Sequence, residues 1–266
     1  MATATKPKQK AKSKSKRSTS RPVVTVVFST FDLGKKADIY RTIRNESIQE
    51  WTPIGFKDYQ PWGSTPLRDA TAQFITHLDS LKKPGTVVIG CLADESGSMN
   101  GNTKSVIDGV NEFIGGMSDV EVDPDTDGKV LAVILTDGYE NASREVSQSQ
   151  LANMISVREQ EDWTFIYLGA NQDAWGVGKE TGLSGGVRGQ TVNFNSTPEG
   201  TQSGIRYAGA MASSYLSSNA TYDSDIKNLS QASVNENGSI LDSAGNEYEN
   251  IQEAIDKAKE NTESTK

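Results

Sequence analysis

Three short runs without a charged residue limit what this chain can become. They are 86–93 (TVVIGCLA), 130–135 (VLAVIL) and 164–168 (TFIYL). A strand with one wet face alternates apolar and polar residues, and these runs do not. Both of their faces must be covered, as in a parallel sheet with helices on either side. The segments between them carry apolar stripes at helical spacing. Leu67, Ala70, Phe74, Leu78 and Leu81 form one stripe, and Val106, Ile107, Val110, Phe113, Ile114 and Met117 another. A more polar helix turns Val146, Leu151, Met154 and Ile155 inward. Strands alternating with helices predict an α/β fold, a Rossmann-like open and mostly parallel sheet flanked by helices on both faces. Residues 22–28 add a β-branched strand, 191–194 an edge strand and 201–217 a last helix. A Pro-started helix opens at Pro66, with Ser64 or Thr65 as its cap.

In such sheets ligands bind at the carboxyl ends of the strands. There the first run ends in Asp94-Glu95-Ser96-Gly97-Ser98 and the second in Thr136-Asp137-Gly138. The third ends in Gly169-Ala170-Asn171-Gln172-Asp173. Asp94, Ser96 and Ser98, two residues apart, offer a carboxylate and two hydroxyls on one turn. Hard divalent cations such as Mg²⁺ take oxygen ligands of this kind. The same residues read equally well as a helix cap, and Asp137 as a turn former; spacing alone leaves both readings open.

The Asp94-x-Ser96-x-Ser98 turn followed by Leu135-Thr136-Asp137-Gly138 resembles a von Willebrand factor A domain. A third element, Gly63-Ser64-Thr65-Pro66-Leu67, is similar to that family's threonine loop. The stretches Asp137 to Glu145, Leu168 to Ala174 and Thr197 to Thr201 resemble a subgroup from bacteria and their phages. The resemblance covers about residues 22–217, with one departure: the threonine loop comes first. Residues 22–85 look like a block that in the family lies between positions equivalent to 120 and 129. The helix at 67–82 then feeds the central strand and the helix at 104–117 its neighbour, and both crossovers are expected to be right-handed. The resemblance implies Asp94, Ser96, Ser98, Thr65 and Asp137 as ligands of Mg²⁺, or of Mn²⁺ or Ca²⁺ in its place. It implies an open coordination position for an Asp or Glu of a partner protein. Tyr139, Asn171, Gln172 and Asp173 would rim the site with Trp62 and Trp175 nearby, and Glu95 and Met99 would fill variable positions.

Charge supplies the rival reading. The formal net charge is −8, yet residues 1–21 carry eight Lys/Arg and no acid. The body from residue 22 on therefore holds 19 bases against 35 acids. The arm cannot bury a face and is expected to be disordered. Lys6, Lys8, Lys10, Lys12, Lys14, Lys16 and Arg17 could hold nucleic-acid phosphates, an acidic protein or the body itself, or could simply be solvated. No aromatic residue is interleaved with them to stack a base. The alternative function is thus a nucleic-acid or virion-associated binder, its metal site structural or empty. An enzyme fits less well: Gly176-Val177-Gly178-Lys179-Glu180 fails the phosphate-loop pattern at Asp173 and Glu180. His77, the only histidine, reads as a helix-edge residue. One cysteine allows no disulfide framework. No apolar run reaches the roughly 20 residues of a bilayer span, and no secretory signal is recognisable, so a cytoplasmic or virion location is expected. Residues 218–266 read as an acidic, polar, partly helical appendage with a hairpin near 243–246.

Overall fold

A computed structural model describes residues 21–34, 38–123, 126–170, 178, 189–217, 229 and 231–263. The three uncharged runs become β3 (Thr86–Asp94), β4 (Val130–Thr136) and β5 (Trp163–Ala170), and every residue in them is buried. They form the middle of one sheet. On one side lie β1 (Val23–Phe31) and β2 (Tyr40–Ser47). On the other lie β6 (Gly189–Phe194), β7 (Gln231–Val234), β8 (Ile240–Leu241) and β9 (Glu247–Tyr248). The order is β2-β1-β3-β4-β5-β6-β7-β8-β9. Strands β1 and β3 to β7 run parallel to their neighbours in that row, while β2, β8 and β9 pair antiparallel.

The pleat sends alternate side chains to opposite faces, and each face has its own helices. Helices α1 (Leu67–Leu81) and α3 (Gln148–Glu159) cover the face of Phe31, Leu92, Ile134 and Tyr167. Helices α2 (Thr103–Met117), α4 (Pro198–Ser217) and α5 (Ile251–Glu263) cover the face of Val26, Ile89, Val133 and Ile166. The chain is thus an α/β protein with a mostly parallel, open sheet flanked on both sides.

Gly90 draws α1 against the sheet. A Cβ at that position would stand 2.5 Å from Phe74 Cζ and 2.7 Å from a Leu78 methyl, so the helix packs where no side chain intervenes. This contact delivers the start of α1 to the carboxyl end of β3. The helix begins at Leu67, one residue later than the proline rule places it, and no side chain caps it. The Thr65 hydroxyl is therefore not used as a cap.

Three expectations change. Strand β6 is internal, because β7 pairs along it from Thr191 to Phe194. The described part of 218–266 continues the same sheet through β7, β8 and β9, and buries Ala254 and Ile255 of α5 in the core. The hairpin expected near 243–246 does join β8 and β9. The third change concerns handedness. The crossovers β3–α2–β4 and β4–α3–β5 step in the same direction along the sheet. Their helices lie on opposite faces. Two such units cannot share one hand, so one of them departs from the strong right-handed preference.

Candidate metal-ion site

Asp94 closes β3 and has no exposed surface. Its Oδ1 accepts the Ser96 peptide N–H at 2.8 Å and its Oδ2 the Thr136 hydroxyl at 2.5 Å. The Ser96 and Ser98 hydroxyls lie 3.1 Å apart, and Ser98 donates to Asp137 Oδ1 at 2.6 Å. Thr65 arrives from the loop before α1. Its N–H donates to Asn141 Oδ1 at 3.0 Å, and its carbonyl accepts the Asn141 N–H at 3.2 Å. Its hydroxyl stands over Gly138: a Cβ there would be 2.8 Å from Thr65 Oγ1 and 3.5 Å from Asp94 Oδ2. Thr65, Asp94, Ser96, Ser98 and Asp137 are therefore one cluster, drawn from three loops.

The cluster is graded in depth. Thr65, Asp94 and Ser96 are 2%, 0% and 2% exposed, whereas Ser98 is exposed and Asp137 partly so. The oxygens thus form a cup that opens beside Ser98 and Asp137. Burial pushes the Asp94 carboxyl up to about 7 and, to a lesser depth, also raises Asp137. Among the described residues no ion pair involves Asp94. A buried carboxylate held only by neutral donors is costly unless a positive charge joins it.

The donor chemistry decides which charge fits. Two carboxylates and three hydroxyls offer oxygen alone, the set preferred by hard divalent cations. Among the described residues no group of three or more His, Cys, Asp or Glu side chains is placed to hold a metal ion.

Neighbouring residues hold these loops, and sequence reasoning missed most of them. Glu95, expected at a variable position, is fully buried and pairs with Arg41 of β2, which also donates to Asp32 at 2.6 Å. The Glu95 peptide N–H donates to Phe31 O at 2.8 Å, and its carbonyl accepts the Trp62 N–H at 2.6 Å. Met99, the other expected variable position, is also fully buried. Tyr59 donates its hydroxyl to Asp94 O at 2.5 Å. Asp69, 1% exposed, accepts the N–H groups of Arg144, Glu145 and Val146 at 2.7–3.1 Å. In return Glu140 accepts Arg68 N–H at 2.8 Å and Ser143 N–H at 2.7 Å. This exchange fastens the loop after β4 to the first turn of α1, which fixes Asp137 relative to Thr65. Ser196, after β6, donates to Asp137 Oδ2 at 3.4 Å and accepts Asn102 Nδ2 at 3.3 Å. Ser196 had a signal, since it is polar and follows a strand's carboxyl end. Arg41, Asp32 and Glu95 had none.

Of the expected rim, Tyr139 stands at the mouth and is 61% exposed, and Trp62 is 53% exposed. Asn171, Gln172, Asp173 and Trp175 lie outside the described residues, as do Lys6 to Arg17 of the basic arm. His77 lies away from the cluster, its Nδ1 2.7 Å from the Tyr40 hydroxyl and 3.1 Å from that of Thr42.

Comparison of the chain with family models, curated proteins and solved structures gives no match. Among the described residues no helix is long and apolar enough to cross a membrane.

Proposed function

We propose that this chain is a von Willebrand factor A-type module that binds a partner protein through a divalent cation. The observation that carries this reading is the convergence of Thr65, Asp94, Ser96, Ser98 and Asp137 on one oxygen cup. The buried residues Asp94, Ser96 and Thr65 form its floor. Ser98 and Asp137 form its lip, and Thr136 and Asn141 hold floor and lip in register. Mg²⁺, or Mn²⁺ or Ca²⁺ in its place, supplies an electrophilic position that accepts a carboxylate oxygen from outside. Because three of the protein's donors are neutral hydroxyls, the cup leaves part of the cation's charge for that external Asp or Glu.

A Mn²⁺ titration followed by electron paramagnetic resonance tests the reading on the wild type, Asp94→Ala and Thr65→Ala. One ion bound by the wild type and weakened in both variants is the expected result. Equal binding by Thr65→Ala would detach the threonine loop from the site, and no binding by the wild type would end the proposal.

A further inference from the structure

Among the described residues three large aromatic side chains are more than half exposed, Phe56, Trp62 and Tyr139. All three belong to the two loops that bring Thr65 and Asp137 to the cup. Two of them flank it. Trp62 is tied beside the Asp94 turn by its N–H to Glu95 O, and the next residue accepts the Gly97 N–H at 3.0 Å. A Cβ on Gly34 would lie 2.6 Å from Trp62 Cδ1. The indole therefore rests on bare backbone, which orients it while half of it stays wet. Tyr139 follows Gly138, the residue packed under the Thr65 hydroxyl. Large aromatic side chains fixed before binding are the usual anchors of protein interfaces, because little freedom remains to be lost.

Charge narrows the ligand further. The body from residue 22 on is near −16, from 19 bases and 35 acids. A run of acids on a partner would be repelled by this field while only one carboxylate could enter the cup. We propose that the occupant is a partner-protein segment in which one Asp or Glu is flanked by bulky apolar side chains and not by further acids. The carboxylate goes to the cation, and the apolar neighbours cover Trp62 and Tyr139. This rests on the cation-site reading given above.

The test uses three blocked pentapeptides with a central Asp, flanked by Leu and Phe, by Ser on both sides, or by further Asp. Each is titrated by fluorescence into the full chain and into Trp62→Ser, Tyr139→Ser and Phe56→Ser variants, with Mn²⁺ saturating every protein. The apolar-flanked peptide is expected to bind about tenfold more tightly than either other. The Trp62 and Tyr139 variants are expected to lose that preference. Phe56, whose loop is anchored to α2 through Ile54 and Asn111, is expected to keep it. Equal affinities with Mn²⁺ bound would overturn the aromatic surface and leave the cation site standing. Preference for the polyacidic peptide would overturn the charge argument. Failure of the wild type to bind Mn²⁺ would overturn both readings, since the carboxylate then has no receptor.

Discussion

Ser98 and Asp137 meet across the mouth of the cup, hydroxyl to carboxylate at 2.6 Å, although 39 residues separate them in sequence. The contact closes a ring whose floor is the buried Asp94, and the charge on that floor has only neutral donors. Removing the charge is therefore expected to help the metal-free protein and to harm the loaded one. In chelator at pH 8, Asp94→Asn should unfold at or above the wild-type temperature. With Mg²⁺ at 100 times its dissociation constant the wild type should gain about 2.7 kcal/mol, and the variant nothing. Differential scanning calorimetry with and without Mg²⁺ reads both; a wild type that Mg²⁺ leaves unmoved speaks against the cation.

Gly138 leaves the room that Thr65 occupies. In Gly138→Ala the new methyl would press on Thr65 Oγ1 from 2.8 Å. The loop is partly exposed, so the loss of stability should stay near 1 kcal/mol. Mn²⁺ affinity should fall by about tenfold, as about 1.4 kcal/mol of misplacement gives. Unchanged affinity would show that Thr65 does not contribute.

Asp69 carries the loop that carries Asp137. Its replacement by Ala strands the part-buried N–H groups of Arg144, Glu145 and Val146. A cost of about 3 kcal/mol is expected for charge-assisted bonds of this kind. Hydrogen exchange should accelerate at 144–146 before it does in β4. Protection that persists there would mean the loop is held by other contacts.

Arg41 is shared by two buried acids, Asp32 and Glu95. Arg41→Met leaves both without their common cation, which should cost about 3–5 kcal/mol. Urea unfolding measures the loss. In the double variant Arg41→Met, Glu95→Leu a good part of it should return, and a purely additive pair would show that the two side chains are not coupled.

His77 gives a pH dependence far from the cup. Burial lowers its pKa below the ordinary value, so the unfolded chain takes up the proton more readily than the folded one. The sign follows: its contribution to stability is complete above the usual histidine range and is lost as pH falls through the folded value. His77 is the only histidine, so one imidazole resonance reports it. Its midpoint should lie below about 6.5, and His77→Gln should flatten the acid limb of stability. A midpoint above that value reverses the sign.

The sheet was legible because β3, β4 and β5 are buried along their whole length and so carry no polar alternation. The cup was legible for a related reason: polar residues at the ends of such strands stand out against the apolar run. Asp94, Ser96, Ser98 and Asp137 share that signal, and Ser196 shares it too. Thr65 depended on a resemblance, since nothing in its own loop distinguishes a cap from a ligand. The Arg41–Glu95 pair and the Asp69 clamp were not legible. They join residues 54 and 75 or more positions apart, and a lone charged residue says nothing of what the fold will place beside it. Strand β7 was hidden by its setting, four residues inside a polar stretch, where pairing with β6 outweighs composition.

The unequal hands of the two crossovers have a consequence for how this protein could be rewired. Arg21 pairs with Glu121, Val23 N–H meets Gly85 O, and Gly128 N–H meets Thr86 O. The breaks needed to lift out residues 22–85 and splice them between 120 and 129 therefore already adjoin at the lower rim of the sheet. A chain reordered in this way would keep the same neighbours for every strand. In it α2 would lead back to β1 and α1 onward to β4, and both would match the hand of β4–α3–β5. The upper rim, where the oxygens gather, would contain no new joint. Connectivity and site are thus separable here: the itinerary of the backbone can be changed at one rim while the cup at the other is left as it is.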